Sequence, residues 1–189
     1  MKSKGAQTRT KILTATLGLI ELQGFHNTGL QQIIKASGAP KGSLYFHFPE
    51  GKDQIVAMAI ANGAELIDQM INQAFQTAEG APQAIDMIIT GLTQRLVESG
   101  YRKGCPVTTV ALEVADDHPQ VRDACKAAYH LWLASITNGL QLFGLTTQNA
   151  QRESSIVLST IEGALTLAKV NRDTTSLSWA SESITDRLV

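Results

Sequence analysis

Two residues, Gly38 and Ala39, separate one short run of helical apolar spacing from a proline placed to begin another. Leu30, Ile33 and Ile34 recur on one helical face, which predicts a helix over residues 30–37 that Gly38 ends. Pro40 suits a first helical position, because its missing N–H would find no partner there and its fixed φ matches the helix. A further helix is therefore expected over residues 40–47. Two helices this short, joined by so tight a turn, read as a helix-turn-helix whose second member can enter a major groove of DNA.

The pattern on either side is also helical. A first helix is expected from near Thr8 or Thr10 to Gln23, with Ile12, Ala15, Thr16, Leu19 and Ile20 as its stripe and Gly24 as its stop. Phe25 reads as an anchor and Thr28 as the N-cap of the next helix. Beyond Pro49, residues 52–75 carry Ile55, Ala59, Leu66 and Met70 on one face, widened by Ile60, Ile67 and Ile71. A loop is expected over 79–82, then a helix over 84–97 with Ile85, Ile88, Ile89, Leu92 and Leu96 at amphipathic spacing. After a break at 100–106, a short helix is expected from Val107 to about Ala115, then a long one to about Phe143. Residues 147–168 and 176–188 complete nine helices with no convincing strand. The expected architecture is all-α: a three-helix DNA-binding domain over 1–50 and a helical ligand-binding and dimerisation domain over 51–189.

Composition agrees. Hydrophobic residues make up 43% of the chain, charged residues 17% and aromatics 5%, which fits a folded helical protein and excludes disorder or low complexity. The net charge of −1 hides an asymmetry. Residues 1–52 hold seven basic side chains against Glu21 and Glu50, and the remainder holds nine basic against fifteen acidic. A positive segment can meet phosphates while an acidic body avoids adhesion along the duplex. Cys105 and Cys125 fit neither a disulfide framework nor a zinc spacing, so both are expected as thiols in a reducing compartment. The basic residues before the apolar stretch 12–20 resemble a signal peptide, but Thr14 and Thr16 interrupt the stretch, Glu21 ends it and no small-residue cleavage site follows. No run is long and apolar enough for a membrane span, and the expected location is the cytoplasm.

In a helix beginning at Pro40, Leu44 and Phe48 point inward while Lys41, Gly42, Ser43, Tyr45 and His47 face outward. Lys41 supplies charge, Gly42 permits close approach of the backbone, and Ser43 can donate or accept at a base edge. Tyr45 and His47 can reach phosphates, as can Lys52 at the start of the following helix. Each has a plainer reading: Thr28 as a cap only, Tyr45 as packing. His26, His47, His118 and His130 show no metal-ligand spacing, no nucleophile elbow or phosphate loop is present, and no cofactor or metal is expected.

The run Gly38-Ala39-Pro40-Lys41-Gly42-Ser43-Leu44-Tyr45-Phe46-His47-Phe48, followed by Lys52 and preceded by Gly24-Phe25 and Thr28, closely resembles the DNA-binding signature of TetR-family repressors over about residues 8–56. The resemblance implies that Thr28, Tyr45, His47 and Lys52 clamp the DNA backbone and that Lys41, Gly42 and Ser43 read bases. It also implies a small-molecule effector among the middle helices. Leu66, Met70, Met87, Ile88, Leu92, Val110, Trp132, Ile136 and Phe143, with Met58, are expected to line an adaptable apolar cavity, ordinary core being the alternative. The stretch from Gly104-Cys105-Pro106 through Ala111-Leu112-Glu113 is similar to the branch that includes LmrA- and QdoR-type repressors, which implies a planar aromatic effector.

Val157, Ile161 and Leu165, with Leu177, Ile184 and Leu188 on the last helix, are expected at a homodimer interface of two helices per subunit. The expected function is a ligand-responsive repressor that grips a pseudo-palindromic operator as a dimer and lets go when a small hydrophobic or aromatic molecule binds. A ligand-independent DNA-binding protein and an enzyme on a helical scaffold are the alternatives.

Overall fold

The computed structural model of the chain describes residues 4–114 and 116–188. Among them the backbone forms nine helices and no strand: α1 (Lys4–Gln23), α2 (Leu30–Ser37), α3 (Lys41–His47), α4 (Lys52–Thr77), α5 (Ala81–Glu98), α6 (Pro106–Ala111), α7 (Pro119–Leu142), α8 (Thr147–Asn171) and α9 (Thr175–Arg187). The all-helical expectation is met. Several ends differ from those expected. α1 starts a turn early, since Lys, Ala, Gln and Arg are strong helix formers that continue it N-terminally. α5 takes in Pro82, tolerated in the first turn because that N–H has no partner to lose. α6 stops at Ala111, and Ala115, its expected end, lies outside the described residues.

Two capping expectations are corrected. Pro40 is the N-cap of α3 rather than its first helical residue: its ψ of 139° is extended, and its carbonyl accepts from the Ser43 and Leu44 N–H groups. The N-cap of α2 is Gly29, not Thr28; the Gln32 carboxamide oxygen accepts from the Gly29 N–H at 2.9 Å. Gln32 sits three residues into the helix, where it can reach back to the N–H of the N-cap residue, the bond that the N3 side chain makes in a capping box.

The chain divides into two compact units. The first joins residues up to Ala64 with Pro106–Ala128, so the division expected at residue 50 falls inside it. α1 packs on α2, α3 and α6. Its core gathers Ile12, Leu13, Ile33, Ala39, Leu44, Phe48, Ile55 and Ala59. The Ile, Leu and Phe side chains among them contribute about 1.5–3 kcal/mol each on burial, enough to fix helices too short to persist alone. Thr16, also buried, returns its hydroxyl to the Ile12 carbonyl at 2.8 Å. Arg9 stacks its guanidinium 5.5 Å from the Phe48 ring centroid and touches the Met58 sulfur at 3.2 Å.

The second unit, Glu65–Cys105 with residues from Tyr129 onward, is held by mutual packing of α5, α8 and α9. Phe75 of α4 fills the space at Gly139 of α7, where a Cβ would fall 2.3 Å from the ring. A polar link joins the same helices: the Ser135 hydroxyl donates to Asp68 at 2.5 Å and the Asn72 amide to Asp68 at 2.9 Å. The buried Glu153 carboxylate accepts from Arg187 at 3.0 Å, tying α8 to α9. Val157, Ile161, Leu165, Leu177 and Ile184, expected between subunits, are enclosed within this unit and no more than 5% exposed. Leu188 is half-buried. Helical apolar spacing marks the face a helix buries without saying whether its own chain or a second copy covers it. The large apolar side chains that α8 and α9 do expose are Leu167, Val170 and Trp179.

Candidate nucleic-acid interface

The first unit presents α3 on a fixed base. Leu44 and Phe48 are fully buried and anchor the helix from beneath. Gly38 allows the approach to it by adopting φ 64°, ending α2 with its N–H donated to the Ile34 carbonyl. From that base Lys41, Gly42 and Tyr45 are exposed, while Ser43 and His47 are half-buried. These five outward residues therefore share one short helix. Phe46, a residue given no role from the sequence, is 81% exposed on the same helix. The signal that marks it as outward is its position two residues from both Leu44 and Phe48, the inner face of the helix.

Thr28 sits differently. Its side chain is completely buried, and its hydroxyl donates to the Gly24 carbonyl at 2.7 Å, which closes the turn between α1 and α2. It thus shapes the start of α2 from inside.

Lys52 opens α4. Its ammonium lies 4.0 Å from the centroid of the Phe25 ring, a cation–π distance. Partial burial lowers its pKa from the usual lysine value, and the carboxylates of Asp53 and Glu113 work in the opposite direction. Two histidine rings also pack against Phe25. The His118 ring packs edge-on at 4.6 Å and the His26 ring at 5.3 Å.

Around that ring runs a polar network absent from the sequence reading. The Asp53 carboxylate and His118 Nδ1 are 2.8 Å apart. The His26 N–H donates to Glu113 Oε2 at 3.0 Å, and His26 Nε2 lies 3.0 Å from the Glu113 carbonyl. Gly24, at φ 80°, lets the Glu113 carboxylate approach so closely that a Cβ would sit 1.8 Å from Oε1. The network fastens the residues around α6 and the start of α7 to the turn after α1 and to the first turn of α4. Its partners lie 65 and 87 residues apart, beyond the reach of any local spacing rule.

The residues expected to line an effector cavity are dispersed. Ile88, Trp132 and Ile136 are buried in the second unit; Met70, Leu92 and Phe143 are half-buried there. Leu66 and Met87 are exposed, and Val110 is buried in the first unit. A separate groove of about 480 Å³ lies between α7 and α8, bordered by His130, Leu133, Thr137, Gln141, Gln151 and Ser154. Among the described residues no group of three or more His, Cys, Asp or Glu could hold a metal ion, and no helix is long and apolar enough to cross a membrane.

Comparison with known proteins agrees with this geometry. Residues 12–59 match the family model described as bacterial regulatory proteins of the tetR family, and residues 81–183 match the C-terminal domain of LmrA/YxaF-like transcriptional regulators. The chain is 35% identical to the HTH-type transcriptional regulator LmrA of Bacillus subtilis over 96% of each protein. It is 34% identical to the regulator YxaF of the same organism, over 97% of this chain and 96% of that one. A crystal structure of a TetR transcriptional regulator from Legionella pneumophila superposes with a TM-score of 0.85 at 18% identity, covering 100% of this chain and 99% of that one.

Proposed function

Because the chain belongs to the TetR family of transcriptional regulators, which are DNA-binding proteins and not enzymes, we propose that it is a ligand-responsive repressor acting as a homodimer on a pseudo-palindromic operator. The observation that carries this reading is the outward face of α3, raised on the buried Leu44 and Phe48. Lys41, Gly42 and Ser43 read base edges, while Tyr45, His47 and Lys52 hold phosphates. Thr28 contributes by shaping the first turn of α2, whose backbone N–H groups then face a phosphate.

Two copies are needed to read two half-sites about 34 to 36 Å apart. The exposed Leu167, Val170 and Trp179 of α8 and α9 support a two-fold interface there, giving four helices across the axis. The effector is a small hydrophobic or aromatic molecule, taken up among the middle helices near Trp132, Ile136 and Ile88. A planar aromatic compound suits the likeness to LmrA, and the setting is the cytoplasm. Release needs only differential affinity: a 100-fold preference for the released form is worth about 2.7 kcal/mol.

The test is a binding titration with the purified chain and the DNA upstream of its own gene, repeated with hydrophobic and aromatic compounds. Release by a compound supports the repressor reading. Salt-sensitive binding that no compound reverses favours a ligand-independent DNA-binding protein.

A further inference from the structure

An α-helix turns by about 100° per residue, so the seven residues of α3 can be laid out around its axis. Leu44 and Phe48, both fully enclosed, mark the inner side. The direction opposite to them falls on Gly42 and Phe46, one turn apart on the same face. Lys41 and Tyr45 flank that crest on one side, Ser43 and His47 on the other. The crest of the helix is therefore glycine and phenylalanine, with the polar side chains set lower.

The chain itself requires neither residue. Phe46 is 81% exposed, and its ring meets the His47 ring edge-on at 5.1 Å. Gly42 has no positive φ, and a Cβ built on it meets nothing within 4 Å, so neither backbone conformation nor internal packing calls for glycine. The two positions share open space in front and an apolar surface facing outward. A phenyl ring offers no hydrogen bond to a phosphate or to a polar base edge. The apolar feature of the major groove is the C5-methyl group of thymine.

We infer that Phe46 is a specificity-determining residue that packs on a thymine C5-methyl group, in the space that Gly42 leaves for the base pair to come close. The inference rests on the reading of α3 as the DNA-facing helix. Removing a single methyl from water is worth about fourfold in affinity.

The full-length chain first selects a preferred duplex from a random-sequence library. Each thymine of the selected half-site is then replaced singly by deoxyuridine, which removes the methyl group and nothing else. At one position per half-site the exchange should weaken binding of the unmodified chain by about fourfold and leave Phe46→Ala unaffected. Phe46→Leu, which keeps an apolar tip, should retain part of the penalty. Circular dichroism on both variants confirms that an exposed position has been changed without loss of helix. A selected duplex with no thymine sensitive to the exchange, or equal penalties in the unmodified chain and Phe46→Ala, overturns the inference while leaving DNA reading by α3 intact. Failure to enrich any duplex overturns both.

Discussion

The ammonium of Lys52 rests 4.0 Å from the centroid of the Phe25 ring, and the turn between α1 and α2 and the residue that opens α4 are thereby held together. His118 packs on the same ring and pairs with Asp53, the neighbour of Lys52. The charge proposed to meet a phosphate is consequently fixed in place by an aromatic platform, where a surface lysine would otherwise sweep a wide volume at an entropic cost.

Lys52→Ala should weaken binding to every DNA sequence by a similar factor and flatten the plot of log affinity against log salt by about one unit. Titrations at several salt concentrations read both effects. A slope equal to that of the unmodified chain would show that Lys52 meets no phosphate.

Gly42→Ala should act in opposite directions on folding and binding. With nothing within 4 Å of the new Cβ, alanine fits without strain and should add about 0.5 kcal/mol to stability through helix propensity. On DNA the same methyl group occupies the space meant for a base pair, and affinity should fall on the order of tenfold, about 1.4 kcal/mol. Urea unfolding and DNA titration of one preparation check the pair of signs.

Gly24→Ala should destabilise the first unit through two separable effects. The left-handed φ of 80° costs an alanine about 1–2 kcal/mol, and the Cβ collides with the Glu113 carboxylate that holds His26. In a Glu113→Ala background the conformational part should remain and the collision should vanish, so the double change should cost less than the sum of the single ones. Strict additivity in urea unfolding would remove Glu113 from this account.

Cys125 supplies a pH prediction. Burial raises its thiol from 9.0 to about 11, so between those values the folded chain keeps a proton that the unfolded chain releases. The stability this contributes is complete below pH 9 and is lost as the pH rises towards 11. Across that window the unmodified chain should lose stability faster than Cys125→Ala, as measured by urea unfolding at stepped pH.

The parts of this fold legible in the sequence were those set by local chemistry. Gly24, Gly38 and Pro40 break the backbone where α1 ends, where α2 ends and where α3 begins, so these three helices could be placed within about a turn. Leu44 and Phe48 followed as the inner face because helical spacing leaves few alternatives. The cap of α2 lies one residue further on, at Gly29, because the Thr28 hydroxyl is turned inward and donated to the Gly24 carbonyl while Gln32 reaches back to the Gly29 N–H. The pairing of Asp53 with His118 and of His26 with Glu113 depends on how distant segments meet, which no spacing encodes. Val157 and Ile161 show the other limit: an apolar stripe identifies what must be covered, and here the same chain covers it.

The most direct measurement of the central claim is a parallel selection from one random-sequence library by the unmodified chain and by Ser43→Ala, with both proteins matched in folded fraction. If α3 reads bases, the two enriched half-sites should differ at one or two adjacent base pairs and agree elsewhere. Identical enriched sequences would mean that Ser43 touches no base and that the face of α3 does not select the operator.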